Sequence, residues 1–162
     1  LIDKIAAGFD TVGDLIHDHH QKAALAEVMH LVAEANKYVT DTQPFKLKAP
    51  EQRERLATVL HTLIQAVSNL NVMMSPFLPH AANKIDKIVG GDGKLAPLPR
   101  IEEVTDLDSG HPYPIITGDY TNTPAWEPRP VTVGAPISKP KGVFVKLDDA
   151  VIDEELGRVE QQ

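Results

Sequence analysis

The sequence predicts an all-α fold, an antiparallel helix bundle followed by a Pro/Gly-rich extended tail. Two observations carry that expectation. Apolar residues recur at spacings of three and four through the first 90 positions, which is the period of helices with one buried face. Nine of the 13 prolines and seven of the 10 glycines lie after residue 90, so helical periodicity should stop near Gly90-Gly91. The expected division is therefore 1-90 for the bundle and 91-162 for an irregular C-terminal strap.

In the first helix Leu1, Ile5, Phe9, Val12 and Ile16 share one face, with Gly8 and Gly13 weakening it. A second helix carries the stripe Leu25, Val28, Met29, Val32, Ala35 and Val39 and should end near Asp41, before Pro44. Pro50 suits the first turn of a third helix, where its missing N–H has no intrahelical partner, and Glu51 and Glu54 favour the positive end of the helix dipole. Leu56, Leu60, Leu63, Val67, Leu70 and Met74 then alternate by four and three, the seam of a helix packed lengthwise against neighbours that stops at Ser75. Ser75 is expected to cap a short fourth helix with Pro76 in its first position and Ala82, Ile85, Ile88 and Val89 buried. Short connections make the four antiparallel.

The tail is expected to form a strap along the bundle, or along a part outside this chain. Tyr113 to Ile116 and Gly142 to Leu147 are too short for a second core, and the prolines allow only extended or edge-like segments. Trp126 is the expected anchor, since an indole buries a large apolar area. Asp148 to Glu160 reads as a short acidic helix. No internal repeat and no low-complexity tract is present.

Composition narrows the function. The chain has 162 residues, enough for one ordinary core, and no cysteine, which excludes disulfides, thiolate zinc sites and thiol nucleophiles. No run approaches the roughly 20 consecutive apolar residues of a membrane span, and no basic-then-apolar leader is visible. A soluble, cytoplasmic protein without a membrane partner is expected. Leu1 lies inside an apolar pattern with no initiator methionine, so the chain is expected to be cut from something longer. Its net charge of -7 argues against a nucleic-acid partner, because phosphate binding rests on Lys and Arg releasing counterions. The charge is uneven, however. Residues 1 to 90 hold 9 Lys+Arg against 10 Asp+Glu, a balance of -1, whereas residues 91 to 162 hold 7 against 13, a balance of -6. Lys37, Lys46, Lys48, Arg53 and Arg55 cluster against only Asp41, Glu51 and Glu54.

The sequence has no G-x-x-x-x-G-K-[ST] phosphate loop, no G-x-S-x-G elbow and no H-E-x-x-H zinc helix. His17, His19 and His20 are the best metal candidates, but neighbours in sequence diverge around a helix, and no carboxylate to orient them is identifiable. No metal site is expected. His30, His61 and His80 are isolated and read as surface or hydrogen-bonded residues. The pairs Asp148-Asp149 and Glu154-Glu155 suggest acid/base work less readily than a charged surface, and no catalytic residue is assigned.

The informative segment runs from Ala35 to Lys46. A helix ends, Pro44 fixes the chain direction, and Phe45 follows in a locally basic connection. The residues alone leave two readings open. Phe45 folds down onto the end of the bundle, or it is a platform on which an unpaired base stacks for about 1–3 kcal/mol while lysines hold the phosphates.

The run Ala35-Asn36-Lys37-Tyr38-Val39-Thr40-Asp41-Thr42-Gln43-Pro44-Phe45 resembles the A-N-[RK]-Y-[IV]-x-x-x-x-P-W motif of the methionyl-tRNA synthetase anticodon-binding domain. Ser75-Pro76-Phe77-Leu78-Pro79-His80-Ala81-Ala82 resembles the x-P-[FV]-[LM]-P-x-x-[AS] element that opens that domain's last helix. Pro99-Arg100-Ile101, Gly118-Asp119-Tyr120 and the closing Lys139 to Asp148 look like the tail of actinobacterial-type members, although the family's ending is closer to P-K-P-L-F-P-R-I-D. The resemblance implies a bundle of class I aminoacyl-tRNA synthetase type whose partner is the anticodon stem-loop of tRNA(Met). The family's tryptophan that stacks on an anticodon base falls at Phe45, which keeps the π-face and loses the indole N–H. Gln43, Pro44 and Lys46 are implied to shape the same rim. The family's Asn and Arg that read the CAU anticodon fall before Leu1, as do its H-I-G-H and K-M-S-K-S motifs. The resemblance therefore implies no cofactor here, and ATP with Mg2+ in a separate catalytic domain that would be the chain's other partner. A monomer is expected. Two rivals remain, a sister synthetase with a different anticodon and a protein–protein module without RNA binding. The second predicts a buried Phe45, with Lys46, Lys48, Arg53 and Arg55 facing no common groove.

Overall fold

The first apolar stripe forms α1, Ile2–His17, in which Ile5, Phe9 and Val12 are buried and Leu1 and Ile16 pack beside them. The computed structural model describes residues 1–118, 120, 125–140 and 142–159. Gly8 and Gly13, which weaken α1 by propensity, are points of close approach. A Cβ on Gly8 would stand 2.5 Å from Leu31 Cδ1, and one on Gly13 would stand 2.9 Å from Trp126 Nε1. Absent side chains let a second helix and the tail come down onto α1.

The second helix, α2, spans Gln21–Thr42, two residues short of Pro44. Its core line is Ala24, Val28 and Leu31, with Val32 and Ala35 beside it. Leu25 and Met29, expected inside, are 37% and 51% exposed. The physical reason is that α2 packs on α1 and α3, which cover only one edge of a wide apolar sector. The same correction applies to α3, Arg53–Met74, entered through a tight turn at Pro50–Gln52. Val59, Ala66, Leu70 and Met73 point inward, whereas Leu60 and Val67 stand on its open edge.

The helical stretch Pro50–Met74 is long and apolar enough to cross a membrane by those two measures. Here it is the central helix, in contact with α1, α2 and the fourth helix. It also buries Asn69 and Asn71, the latter donating to the Ala82 carbonyl at 2.9 Å.

Ser75 does not cap the fourth helix. Its hydroxyl turns back to the Val72 carbonyl at 2.8 Å, and the Phe77 and Leu78 N–H groups both donate to Met74 O. This closes a separate turn before α4, Pro79–Ile88, begins with Pro79 rather than Pro76 in its first position. Ala81, Ala82 and Asp86 are its buried residues, while Ile85, Ile88 and Val89 are only half-buried. α4 stops where Gly90 takes φ 100°.

The tail adds to the mainly helical fold an antiparallel hairpin of β1, Arg100–Thr105, and β2, Pro112–Thr117, with Ile101 opposite Ile116 and Val104 opposite Tyr113. Its turn is held by Asp106 Oδ1, which accepts from the N–H groups of Asp108 and Ser109 at 3.0 and 2.6 Å. Pro112 and Pro114, two residues apart, put both missing N–H groups on one edge, so the strand still pairs on the other.

The rest of the tail crosses the bundle as a strap. Trp126 donates to the Phe9 carbonyl at 2.8 Å and meets the Phe9 ring edge-on, centroids 5.6 Å apart. Gln65 Nε2 donates to Arg129 O at 2.6 Å, Asn69 Oδ1 accepts from Arg129 N at 3.0 Å, and Arg129 Nη1 donates to Asp86 Oδ1 at 2.9 Å. The acidic helix expected at the end is α5, Ala150–Val159. Glu160, and Asp119 and Lys141 of the tail motifs, lie outside the described residues.

Candidate nucleic-acid interface

The end of α2 is built to turn one aromatic outward. Thr42 Oγ1 donates to the Tyr38 carbonyl at 2.6 Å, and the Gln43 N–H closes the last turn on Val39 O at 2.9 Å. Pro44 disfavours the right-handed helical conformation at the residue before it, and Gln43 leaves α2 in the left-handed one, φ 45° and ψ 56°. Pro44–Lys46 then form a single tight turn, closed by Lys46 N to Gln43 O at 2.8 Å and Leu47 N to Pro44 O at 3.1 Å. Phe45 sits in its middle, 62% exposed.

The four residues singled out in the sequence thus share one turn, with Gln43 and Pro44 half-buried and Phe45 and Lys46 at the surface. Phe45 has not folded down onto the bundle. Beyond the turn, Leu47, Lys48, Ala49, Pro50, Arg53, Leu56, Ala57 and Leu60 line a surface groove of about 550 Å3. Lys48 and Arg53 face this common groove; Lys46 and Arg55 are exposed but do not line it. Among the described residues, none of these four cations lies within ion-pair distance of a carboxylate.

The apolar floor of the groove escaped the sequence reading. Its signal was present, since Leu56 and Leu60 belong to the four-three alternation, but that alternation reads as a packing seam. Among the described residues no helix covers that edge, which turns it into a surface.

Farther along α2, the Lys4 ammonium stands 3.0 Å from Glu34 and holds its carboxyl below the usual range through a hydrogen bond and its charge. His30 lies between Glu27 and Glu34, at 3.5 and 3.8 Å. His17 meets Asp18 at 3.1 Å, and His19 adopts φ 62° beyond the helix end. Among the described residues, no three His, Asp or Glu side chains form a group that could hold a metal ion.

No protein-family model matches the chain. Its sequence is 55% identical over 160 residues to the methionine–tRNA ligase of Nocardioides sp., covering 99% of this chain and 27% of that protein. The methionine–tRNA ligases of Salinispora tropica and Beutenbergia cavernae are 53% and 54% identical, each over 94% of the chain and 25% of their own length. The chain thus spans about a quarter of the relatives it matches. The crystal structure of the apo form of Mycobacterium tuberculosis methionyl-tRNA synthetase superposes with a TM-score of 0.57 at 18% identity, over 91% of this chain and 26% of that one. That likeness speaks to the fold alone. With near-complete coverage at such identity, the chain belongs to the methionine–tRNA ligases, as a counterpart of their C-terminal part.

Proposed function

We propose that these residues recognise the anticodon stem-loop of tRNA(Met), as the non-catalytic C-terminal part of an enzyme that ligates methionine to tRNA using ATP. The observation that carries this reading is the exposed Phe45 on its closed turn, beside cations that form no ion pair among the described residues. An aromatic of that size usually buries its ring, and a fixed, outward ring next to positive charge is what stacking on an unpaired base requires. Gln43, Pro44 and Lys46 form the rim of the platform, and residues 1-90 act as the RNA-binding bundle while 91-162 strap it. ATP and Mg2+ are assigned to a catalytic part outside this chain, where the family's H-I-G-H and K-M-S-K-S motifs fall. The whole protein works in the cytoplasm as a monomer. The exposure of Phe45 disfavours a protein–protein module without RNA, which needed that ring buried.

The test is binding of a labelled CAU stem-loop against a scrambled loop at two salt concentrations, with Phe45→Ala alongside. Preferential, salt-sensitive binding is expected, weakened roughly tenfold or more by Phe45→Ala, the equivalent of about 1–3 kcal/mol per stacked base. Unchanged affinity of Phe45→Ala in the full-length ligase would sink the platform.

A further inference from the structure

We propose that the groove beside the platform is a second nucleotide subsite. It would take an unpaired nucleotide neighbouring the one on Phe45, with its base against Leu56 and Leu60 and its phosphate between Lys48 and Arg53. The proposal rests on the reading of Phe45 as a stacking platform and adds to it a place for the next residue of the same loop.

Three observations carry it. The first is continuity, because Leu47, which lines the groove, directly follows the turn that holds Phe45.

The second is chemistry. The floor is apolar, with Leu60 44% exposed, and the rim is cationic. Glu51 and Glu54 stand in the same stretch of chain, yet neither lines the groove. An apolar floor with a cationic rim matches a nucleotide, whose base has two apolar faces and whose phosphate is an anion. The size agrees as well, since about 550 Å3 falls within the range of ligand-binding clefts.

The third is the position of Arg53. It is the first residue of α3, at the positive end of the helix dipole, where a cation is unfavourable for the helix itself. Among the described residues no carboxylate comes within ion-pair distance of it, Glu54 in the same turn included. A bound phosphate would.

The experiment is an NMR titration of the chain, with labelled leucine methyls and phenylalanine rings, by the CAU stem-loop and by the same RNA made abasic at each loop position in turn. Leu56 and Leu60 methyls are expected to shift with the intact RNA and to lose that shift at one abasic position, different from the one that releases Phe45. Leu60→Ser should weaken binding roughly tenfold at an unchanged salt slope. The double variant Lys48→Ala with Arg53→Ala should instead flatten the slope of log affinity on log salt by roughly 0.7, the value for the one phosphate they share. Circular dichroism guards against a folding defect, and the half-exposed Leu60 makes one unexpected.

If Phe45 responds while the Leu56 and Leu60 methyls stay still, the subsite falls and the platform stands. If the methyls respond and Phe45 does not, the groove binds a nucleotide and the platform falls. No response from either at millimolar RNA, in this chain and in the full-length ligase alike, overturns both.

Discussion

Gln43 carries the local strain of presenting Phe45. A side chain in the left-handed region costs about 1–2 kcal/mol relative to the right-handed one, and glycine escapes most of that penalty. Gln43→Gly is therefore expected to raise stability by up to about 1 kcal/mol, measured by urea denaturation. If the glutamine also forms the rim of the platform, RNA affinity should drop while stability rises. Both quantities unchanged would deny Gln43 either role. A second residue-scale expectation concerns the Lys4–Glu34 bridge between α1 and α2. The folded state lowers the Glu34 pKa, so its contribution is present above the unfolded value and disappears as pH falls through the folded one. Glu34→Gln should lower neutral-pH stability only slightly, because the pair is exposed, and flatten the acid limb of the stability profile by the same small amount. At this scale the turn was legible, since a helix end, a proline and an aromatic are local signals. The exposure of Leu25, Met29, Leu60 and Val67 was not. Periodicity gives the width of an apolar face, whereas only the neighbouring helices decide which edge of it is covered.

The elements were legible wherever one segment contains its own reason for forming. α1, α2 and α3 follow the apolar period, and Gly90 stops α4 as a left-handed residue must. Ser75 failed as a cap because the chain makes an extra turn at Pro76-Phe77 before restarting, and two prolines three residues apart offer equally good first positions. Of the hairpin, only Tyr113 to Ile116 was legible, as a short extended run, and β1 was not. The pairing depends on the turn at Asp106 to His111, whose Asp-Ser-Gly signal lies between two prolines that argue against strands. Gly13 is the clearest case of an element shaped by something distant, since it reads as a weak point of α1 until Trp126 is seen against it. Gly13→Ala gains helix propensity, about 1 kcal/mol, but its Cβ would stand 2.9 Å from Trp126 Nε1. The indole must then leave the Phe9 carbonyl. The expected result is a red-shifted emission from the single tryptophan with the helical signal intact, read by fluorescence and far-ultraviolet circular dichroism. A blue shift or no shift would mean that the ring has another way to stay docked.

At the scale of the molecule, the strap joins the bundle through the buried Leu95 and Ala96, through Trp126 on Phe9, and through polar pins that the sequence does not announce. Asp86 reads as a surface residue on a short helix, and its partner Arg129 lies 43 residues further on. No local rule connects them. Yet the Asp86 side chain is only 5% exposed and accepts from both Arg129 Nη1 and the Gly93 N–H, while the Arg129 backbone is held by Gln65 and Asn69. Removing the guanidinium would leave a buried carboxylate with one partner fewer. A buried pair broken on one side loses about 3–5 kcal/mol, and the 40% exposure of Arg129 brings the expectation for Arg129→Ala down to roughly 2 kcal/mol. The manner of the loss is more telling than its size. While the pins hold, strap and bundle should unfold together, so urea transitions followed by Trp126 fluorescence and by helical circular dichroism should coincide in the unaltered chain. In Arg129→Ala the fluorescence transition should move to lower urea ahead of the helical one, because the strap lets go before a core centred on Ile5, Leu31 and Met73. Coincident transitions displaced together would instead make Asp86–Arg129 part of a single cooperative core, with the strap as integral to the bundle as α4.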